Sequence, residues 1–354
     1  MILIDTVYVN AGGGKALLQE LLGRLRGRTK CILLCDARMQ GVDTSGYEVS
    51  VIPAGELARR AFYRLNRDRL TRVFCFGNVP PPVRLRAEVA VYFHNVLLCS
   101  AFKNATWREE FMGMLKMRYI RWLRSHADVF LVQTGLVRTA LARDLGADVT
   151  ISELPFYPAT RHAAAPGEPA EGRWSRYAYV SNGYPHKNHA RLIAAWERLA
   201  KQGIYPELHL TLYGEWTGLY QQIEQARTAG ARITNHGFTD SQLLYQACGY
   251  QIYPSVAESF GLGLVEAAEA GCAVIAADLP HVHAAIRPFG LFDPHCVESI
   301  QQAVLATHGR PAPKSAVVAP NEVGRLVDWL GSDIAIPGTP RCAALINHTA
   351  QGLS

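Results

Sequence analysis

Residues Tyr253–Pro280, YPSVAESFGLGLVEAAEAGCAVIAADLP, decide how the rest of the chain is read. The apolar run Tyr250–Tyr253 predicts a short strand, which Pro254 and Ser255 end with turn chemistry. Glu258, Ser259 and Phe260 then fall in a loop. Gly261 and Gly263 open a helix, Leu262, Val265 and Glu269 continue it at helical spacing, and Gly271 supplies its stop. Ala273–Ala277 returns as a second buried strand. A glycine-bearing turn at a helix N-terminus suits phosphate, because unpaired N–H groups and the helix dipole point outward there. Glu258 and Glu266 flank that turn. Taken alone, they can equally be solvated carboxylates on a surface helix.

The stretch completes an α/β half: strand Tyr177–Val180, helix Ala190–Ala200, strand Leu208–Tyr213, helices near Leu219–Ala226 and Ser241–Ala247, with a strand at Ile233 between them. Lys187, in SNGYPHKN (181–188), sits just ahead of a helix, where an ammonium can meet a diphosphate or simply face solvent. Gly214 and Phe238 lie in turns that follow strands. Leu291–Asp293 and Val297–Thr307 predict a closing strand and helix, and Glu322–Leu330 one more helix, while the last 24 residues carry no periodic pattern.

The first half repeats the alternation, with strands at 2–9, Cys31–Cys35, Tyr47–Pro53, Val73–Phe76, Val89–Phe93, Val129–Val132 and Val149–Phe156. This predicts a doubly wound parallel sheet, with ligands at the strands' carboxyl ends. Gly77, Asn78, His94 and Asn95 follow such ends. The turn Asn10–Lys15, holding Gly13 and Gly14, precedes a helix over Ala16–Leu25; its spacing is not that of a dinucleotide fingerprint, and a tight turn without ligand explains it as well. Trp107–His126 predicts a cationic helix mixing Phe111, Leu115, Tyr119 and Trp122 with Lys116, Arg118, Arg121 and Arg124, suited either to a membrane interface or to covering the sheet. Pro, Ala and Gly crowd residues 157–173, the expected linker. The domains read as 1–157, a linker over 158–173, a second domain over 174–310, and a helix with a tail over 311–354.

ESFGLGLVE, with Pro254, Ser255 and Gly271 around it, resembles the E-x7-E signature of family 4 (group 1) of the retaining glycosyltransferases, which are GT-B enzymes. VYFHN (91–95) and the Lys187–Asn188 pair are similar to further motifs of that family. The resemblance implies α/β architecture of the GT-B type, two Rossmann-like domains facing a cleft, with a C-terminal donor domain and an N-terminal acceptor domain. It implies transfer of a sugar from a nucleoside diphosphate sugar with retention, by a front-face mechanism, to a glycan or lipid-linked acceptor in surface polysaccharide synthesis. The implied roles are Glu258 on donor-sugar hydroxyls, Lys187 and the amides of Ser259, Phe260 and Gly261 on the diphosphate, Glu266 on the ribose, the turn at Phe238 on the nucleobase, Gly13 and Gly14 near the phosphates, and His94 at the reaction centre. Gly214 belongs to the same edge, and the resemblance implies a C-terminal helix, over Val323–Trp329, that crosses back to the first domain. Many members carry an arginine shortly before the lysine, where this chain has Ser181 and Asn182. A catalytically inactive nucleotide-binding or partner-binding subunit, or an epimerase or phosphorylase of the same fold, is the alternative.

The 354 residues suit two domains, and a mean hydropathy of +0.01 suits a globular chain. No stretch approaches the ~18 apolar residues of a membrane span. MILIDTVYVN reads as a first strand, not a signal peptide. The eight cysteines form no C-x-x-C pair, which predicts reduced thiols and a cytoplasmic location. Of the net charge of +6, residues 1–160 hold +8 (22 basic, 14 acidic) and the remainder −2 (14 basic, 16 acidic). Such a basic half attracts a diphosphate or an anionic inner-membrane face, and no nucleic-acid module is visible. With no D-x-D triplet, no metal and no cofactor beyond the donor substrate are expected.

Overall fold

The computed structural model describes residues 1–9, 12–102, 107–159, 172–332, 334–336 and 339. The chain divides into two units over its described residues: Met1–Ala159 with Pro320–Ser354, and Thr160–Ala319.

In the first unit, β1 (Ile2–Asp5), β2 (Cys31–Asp36), β3 (Glu48–Ile52), β4 (Arg72–Cys75), β5 (Glu88–Phe93), β6 (Val129–Val132) and β7 (Ile151–Glu153) form one parallel sheet in the order β3-β2-β1-β4-β5-β6-β7. Its central strands are buried on both faces, hence their unbroken Val, Leu, Ile and Phe runs. The connecting helices are α1 (Gly12–Leu25), α2 (Glu56–Asn66), α3 (Trp107–Leu123) and α4 (Gly135–Leu145). Strand order reverses between β1 and β4, which opens a crevice at their carboxyl ends.

In the second unit, β8 (Arg176–Tyr179), β9 (Glu207–Leu210), β10 (Arg232–Asn235), β11 (Tyr250–Tyr253), β12 (Ala273–Ala277) and β14 (Gly290–Phe292) pair in parallel in the order β10-β9-β8-β11-β12-β14. The helices are α5 (His189–Lys201), α6 (Thr217–Thr228), α7 (Ser241–Ala247), α8 (Leu262–Glu269), α9 (Pro280–Ala285) and α10 (Val297–Thr307), and β13 (Ile286–Arg287) pairs antiparallel with β15 (Ala316–Val317). Here the order reverses between β8 and β11.

The last described helix, α11 (Val323–Gly331), belongs to the first unit. Its Trp329 is fully buried, meets Phe74 edge-on at 6.2 Å and donates from Nε1 to Glu88 at 3.3 Å. The second unit runs to Ala319, and the chain from Pro320 onward belongs with the first. Most of the expected linker and most of the final 24 residues lie outside the described residues.

Several element limits differ from the sequence expectation. β1 stops at Asp5, where the Asp5 carboxylate accepts from the Val7 N–H and turns the chain. α1 starts at Gly12, so Gly13 and Gly14 occupy its first turn and not a preceding loop. β9 stops at Leu210, because the Asn235 side chain takes over the backbone groups of Leu212. β7 keeps only Ile151–Glu153 of the longer run. The described cysteines are all free thiols, buried except for the half-buried Cys296.

Candidate functional site

In the second unit the reversal point between β8 and β11 is filled by two loops sewn to each other. After β8, a tight turn over Pro185–Lys187 leads to Asn188, whose φ of 62° is left-handed. Its Nδ2 donates to the Pro254 carbonyl at 3.1 Å and to the Pro294 carbonyl at 2.7 Å. The Val256 N–H donates to the His186 carbonyl at 2.8 Å. Tyr179 Oη donates to the carbonyl of Lys187 at 2.8 Å. The loop after β11 is thus the template on which the Lys187 loop is laid.

This places the Lys187 Nζ 2.5 Å from Glu258 Oε1, with both side chains mostly buried. The same oxygen accepts from Ser255 Oγ at 2.6 Å and Tyr253 Oη at 3.0 Å. Burial raises the carboxyl pKa, but the Lys187 charge and hydrogen bond, with the Ser255 hydroxyl, outweigh it and hold Glu258 down at about 2. Tyr253 enters the sequence reading as a strand residue and Ser255 as a turn residue beside the E-x7-E signature, neither as a partner of Glu258; their offsets of five and three residues from it were the available signal. His281 was missed as well. It is buried, Glu258 favours its charged form, and burial nonetheless holds it at about 4.

Gly261, with φ of 87°, is the N-cap residue of α8, and no side chain caps the first turn. Its leading amides therefore face the loop at Ser259 and Phe260, although the Phe260 ring itself is buried. Glu266 lies one turn along α8. Burial, then the Glu269 charge, raises its carboxyl pKa, and among the described residues it has no hydrogen-bond partner.

At the carboxyl ends of β9 and β10, Phe238 is 84% exposed and meets the half-exposed Tyr213 edge-on at 5.4 Å. Gly214, with φ of 92°, turns the chain toward Trp216. The Trp216 indole lies on Gly183 so closely that a Cβ there would stand 2.4 Å from its ring, and its Nε1 donates to the Tyr213 carbonyl. Trp216 therefore ties the Lys187 loop to the Tyr213–Phe238 pair.

In the first unit, the His94 Nε2 lies 3.0 Å from the Phe76 carbonyl, which can only accept. The proton therefore sits on Nε2 and Nδ1 is left as an acceptor. Burial lowers the ring pKa to about 4, so the imidazole is neutral at pH 7. A Cβ on Gly14 would stand 3.0 Å from His94 Cε1. Gly14 and His94, eighty residues apart, are thus in contact.

A cavity of about 480 Å³ lies in the crevice of the same unit, lined by Tyr8, Arg38, Glu56, Asn78, Asn95, Lys116 and Tyr119 among others. The Glu56 oxygens accept from Tyr8 Oη at 2.7 Å and Tyr119 Oη at 2.8 Å. Beneath it, Arg59 is fully buried and donates to Asp5, Glu56 and the carbonyls of Val79 and Pro80. Tyr8 and Asn78 both have left-handed backbones, φ 80° and 69°. Strain of this kind is held where surrounding contacts over-determine it, which favours a binding site. No motif in the sequence joins these residues.

Among the described residues, no group of three or more His, Cys, Asp and Glu side chains is placed to hold a metal ion, and no helix is long and apolar enough to cross a membrane.

Residues 170–307 match the family described as glycosyl transferases group 1. Over 141 residues the chain is 31% identical to the O-antigen chain mannosyltransferase B of Escherichia coli, a match that spans 37% of this chain and 36% of that relative. The fold is similar along nearly the whole chain to that of sucrose-phosphate synthase from Thermosynechococcus elongatus (TM-score 0.68, 15% identity, 99% of this chain and 98% of that one). It is also similar to Anabaena HepE, solved in complex with UDP and glucose (TM-score 0.70, 16% identity, 99% and 98%). Two Rossmann-like domains of the GT-B type are therefore the architecture of this chain.

Proposed function

We propose that the protein is a retaining, metal-independent glycosyltransferase that moves a sugar from a nucleoside diphosphate sugar to a glycan or lipid-linked acceptor. The observation that carries this reading is the Lys187–Glu258 pair, built at the strand-order reversal of the unit that holds the group 1 match. Ligands of open α/β sheets bind at such reversals, outside the strands' carboxyl ends.

Lys187 and the uncapped amides of α8 meet the diphosphate and stabilise the charge that develops as it departs. Glu258, ionised at neutral pH, accepts hydrogen bonds from donor-sugar hydroxyls through the oxygen that Lys187 leaves open. Glu266, whose carboxylate has no hydrogen-bond partner among the described residues, takes the ribose hydroxyls. Phe238 and Tyr213 offer the nucleobase an aromatic face. Neutral His94 accepts a hydrogen bond from the transferred sugar at Nδ1, with Gly14 leaving room beside the ring. The leaving phosphate helps deprotonate the acceptor, so neither glutamate acts as nucleophile. The acceptor takes the Glu56 cavity, whose tyrosines, asparagines and cationic rim suit a polyhydroxylated group. A cytoplasmic site of action, peripheral to an anionic membrane, completes the reading.

Thermal shifts with UDP, GDP, ADP and their sugars test it. A ligand at 100 times its Kd adds about 2.7 kcal/mol, and stabilisation is expected from one nucleotide family. Glu258→Gln should abolish transfer while leaving the fold intact, and EDTA should leave wild-type transfer unchanged. No stabilisation by any nucleotide, or full activity in Glu258→Gln, removes the assignment.

A further inference from the structure

We propose that the outer face of α3, together with the arginine-lined groove beside it, docks on an anionic lipid bilayer. This names the surface behind the membrane contact in the reading above, and it holds or fails independently of glycosyl transfer.

α3 buries one stripe, Gly113, Met117, Ile120 and Leu123, against its own unit. At ~100° per residue, Trp107, Phe111, Leu115 and Trp122 fall within roughly 80° of arc on the opposite side. They are 76, 49, 44 and 67% exposed. An apolar stripe of this length on the outside of a helix is a contact surface and not a core face. Tryptophan at both ends gives it residues that settle at the depth of lipid headgroups.

Charge decides the partner. A groove of about 420 Å³ runs beside this face between α3, α4 and the Leu97–Phe102 segment, and Arg118, Arg121 and Arg143 line it. Among the described residues none of these three, nor Arg108 or Lys116 of α3, has an acidic partner at salt-bridge distance. The groove also holds the carboxylates of Glu110 and of Asp144, which accepts from the Ser100 N–H and hydroxyl, so three guanidinium groups stand against two acids. Unpaired arginines suit phosphate oxygens, and their position next to the apolar stripe matches a lipid's phosphate next to its acyl chains. The excess of +8 in residues 1–160 adds attraction toward the same surface.

The test is cosedimentation of the full chain with vesicles of phosphatidylcholine alone and of phosphatidylcholine with phosphatidylglycerol, at low and physiological salt. Binding to the anionic vesicles only is expected, weaker at higher salt. Arg118→Glu with Arg121→Glu should lower the partition coefficient about tenfold or more, since each basic residue near such a surface is worth about fivefold. Trp107→Ala with Trp122→Ala should remove the salt-resistant part. Arg287→Glu with Lys314→Glu, two exposed positions of the other unit, changes the net charge equally and should leave binding within about twofold. All variants alter exposed side chains, and an unchanged Tm verifies their folding. Equal binding to neutral vesicles, no binding to anionic ones, or equal losses in the two charge-reversal pairs would overturn the proposal. So would capture by a duplex oligonucleotide with vesicles left free. Nucleotide-induced thermal shifts on the same preparations report on the donor site separately.

Discussion

Lys187 and Glu258 compensate each other within the second unit, and that coupling makes single substitutions there informative. Lys187→Met leaves a mostly buried carboxylate without its counter-charge, while the Ser255 and Tyr253 hydroxyls remain. Breaking such a pair costs about 3 kcal/mol when one partner stays charged. The Glu258 carboxyl pKa then rises from about 2, because burial is no longer opposed by the ammonium. Urea unfolding at pH 7 should show the full loss, and at pH 5 a smaller one as Glu258 takes a proton. Lys187→Met with Glu258→Gln should recover most of the stability but none of the transfer. Equal losses at both pH values would remove the pair from its assigned place.

At the scale of elements, the second unit depends on loops that hold one another. Asn188 bridges two carbonyls from other loops, and Trp216 caps Gly183. Gly183→Ala puts a methyl 2.4 Å from the indole, so Trp216 must move and release its hydrogen bond to Tyr213. The expected result is a red-shifted tryptophan difference spectrum that vanishes in a Trp216→Phe background, together with nucleotide affinity weakened by about tenfold, the effect of ~1.4 kcal/mol. An unchanged spectrum would show that the indole does not rest there. Strand and helix positions in this region were legible from period and turn residues alone. The stitching was not, because Asn188, Trp216 and Gly183 look like ordinary loop composition until the sheet brings β8, β9 and β11 side by side.

For the whole molecule, acid is the expected weakness. His189 and His281 are buried and neutral, with pKa values lowered by burial to about 3 and about 4. Below pH ~6.5 the unfolded chain binds protons that the folded state refuses, so stability present above that pH is lost as pH falls. His94, held at about 4 by the same cause, is a third such group, and the three give a slope of about 4 kcal/mol per pH unit between pH ~6 and ~4.5. Glu258, depressed to about 2 from 4.5, adds a loss of the same sign at lower pH, whereas the raised Glu266 opposes it. Both ring nitrogens of His189 are buried without a partner among the described residues, so His189→Leu should flatten the slope and raise stability at pH 5. Urea midpoints at pH 7.5, 6 and 5 check this, and a pH-independent midpoint would contradict it.

The amino-acid sequence by itself determined the α/β class, the two-domain plan, and the placement of Glu258 and Lys187 at strand-to-helix junctions. These follow from local periodicity and turn chemistry, which act within a few residues of the chain. Only the tertiary structure decided that Lys187 and Glu258, seventy-one residues apart, share one proton-poor site, that Gly14 backs His94, and that Glu56 joins Tyr8 to Tyr119 above a buried arginine. It also turned the apolar stripe of α3 outward. Those outcomes depend on strand order and on which helix face meets the sheet, quantities that parallel pairing sets over long sequence separations and that no local pattern encodes.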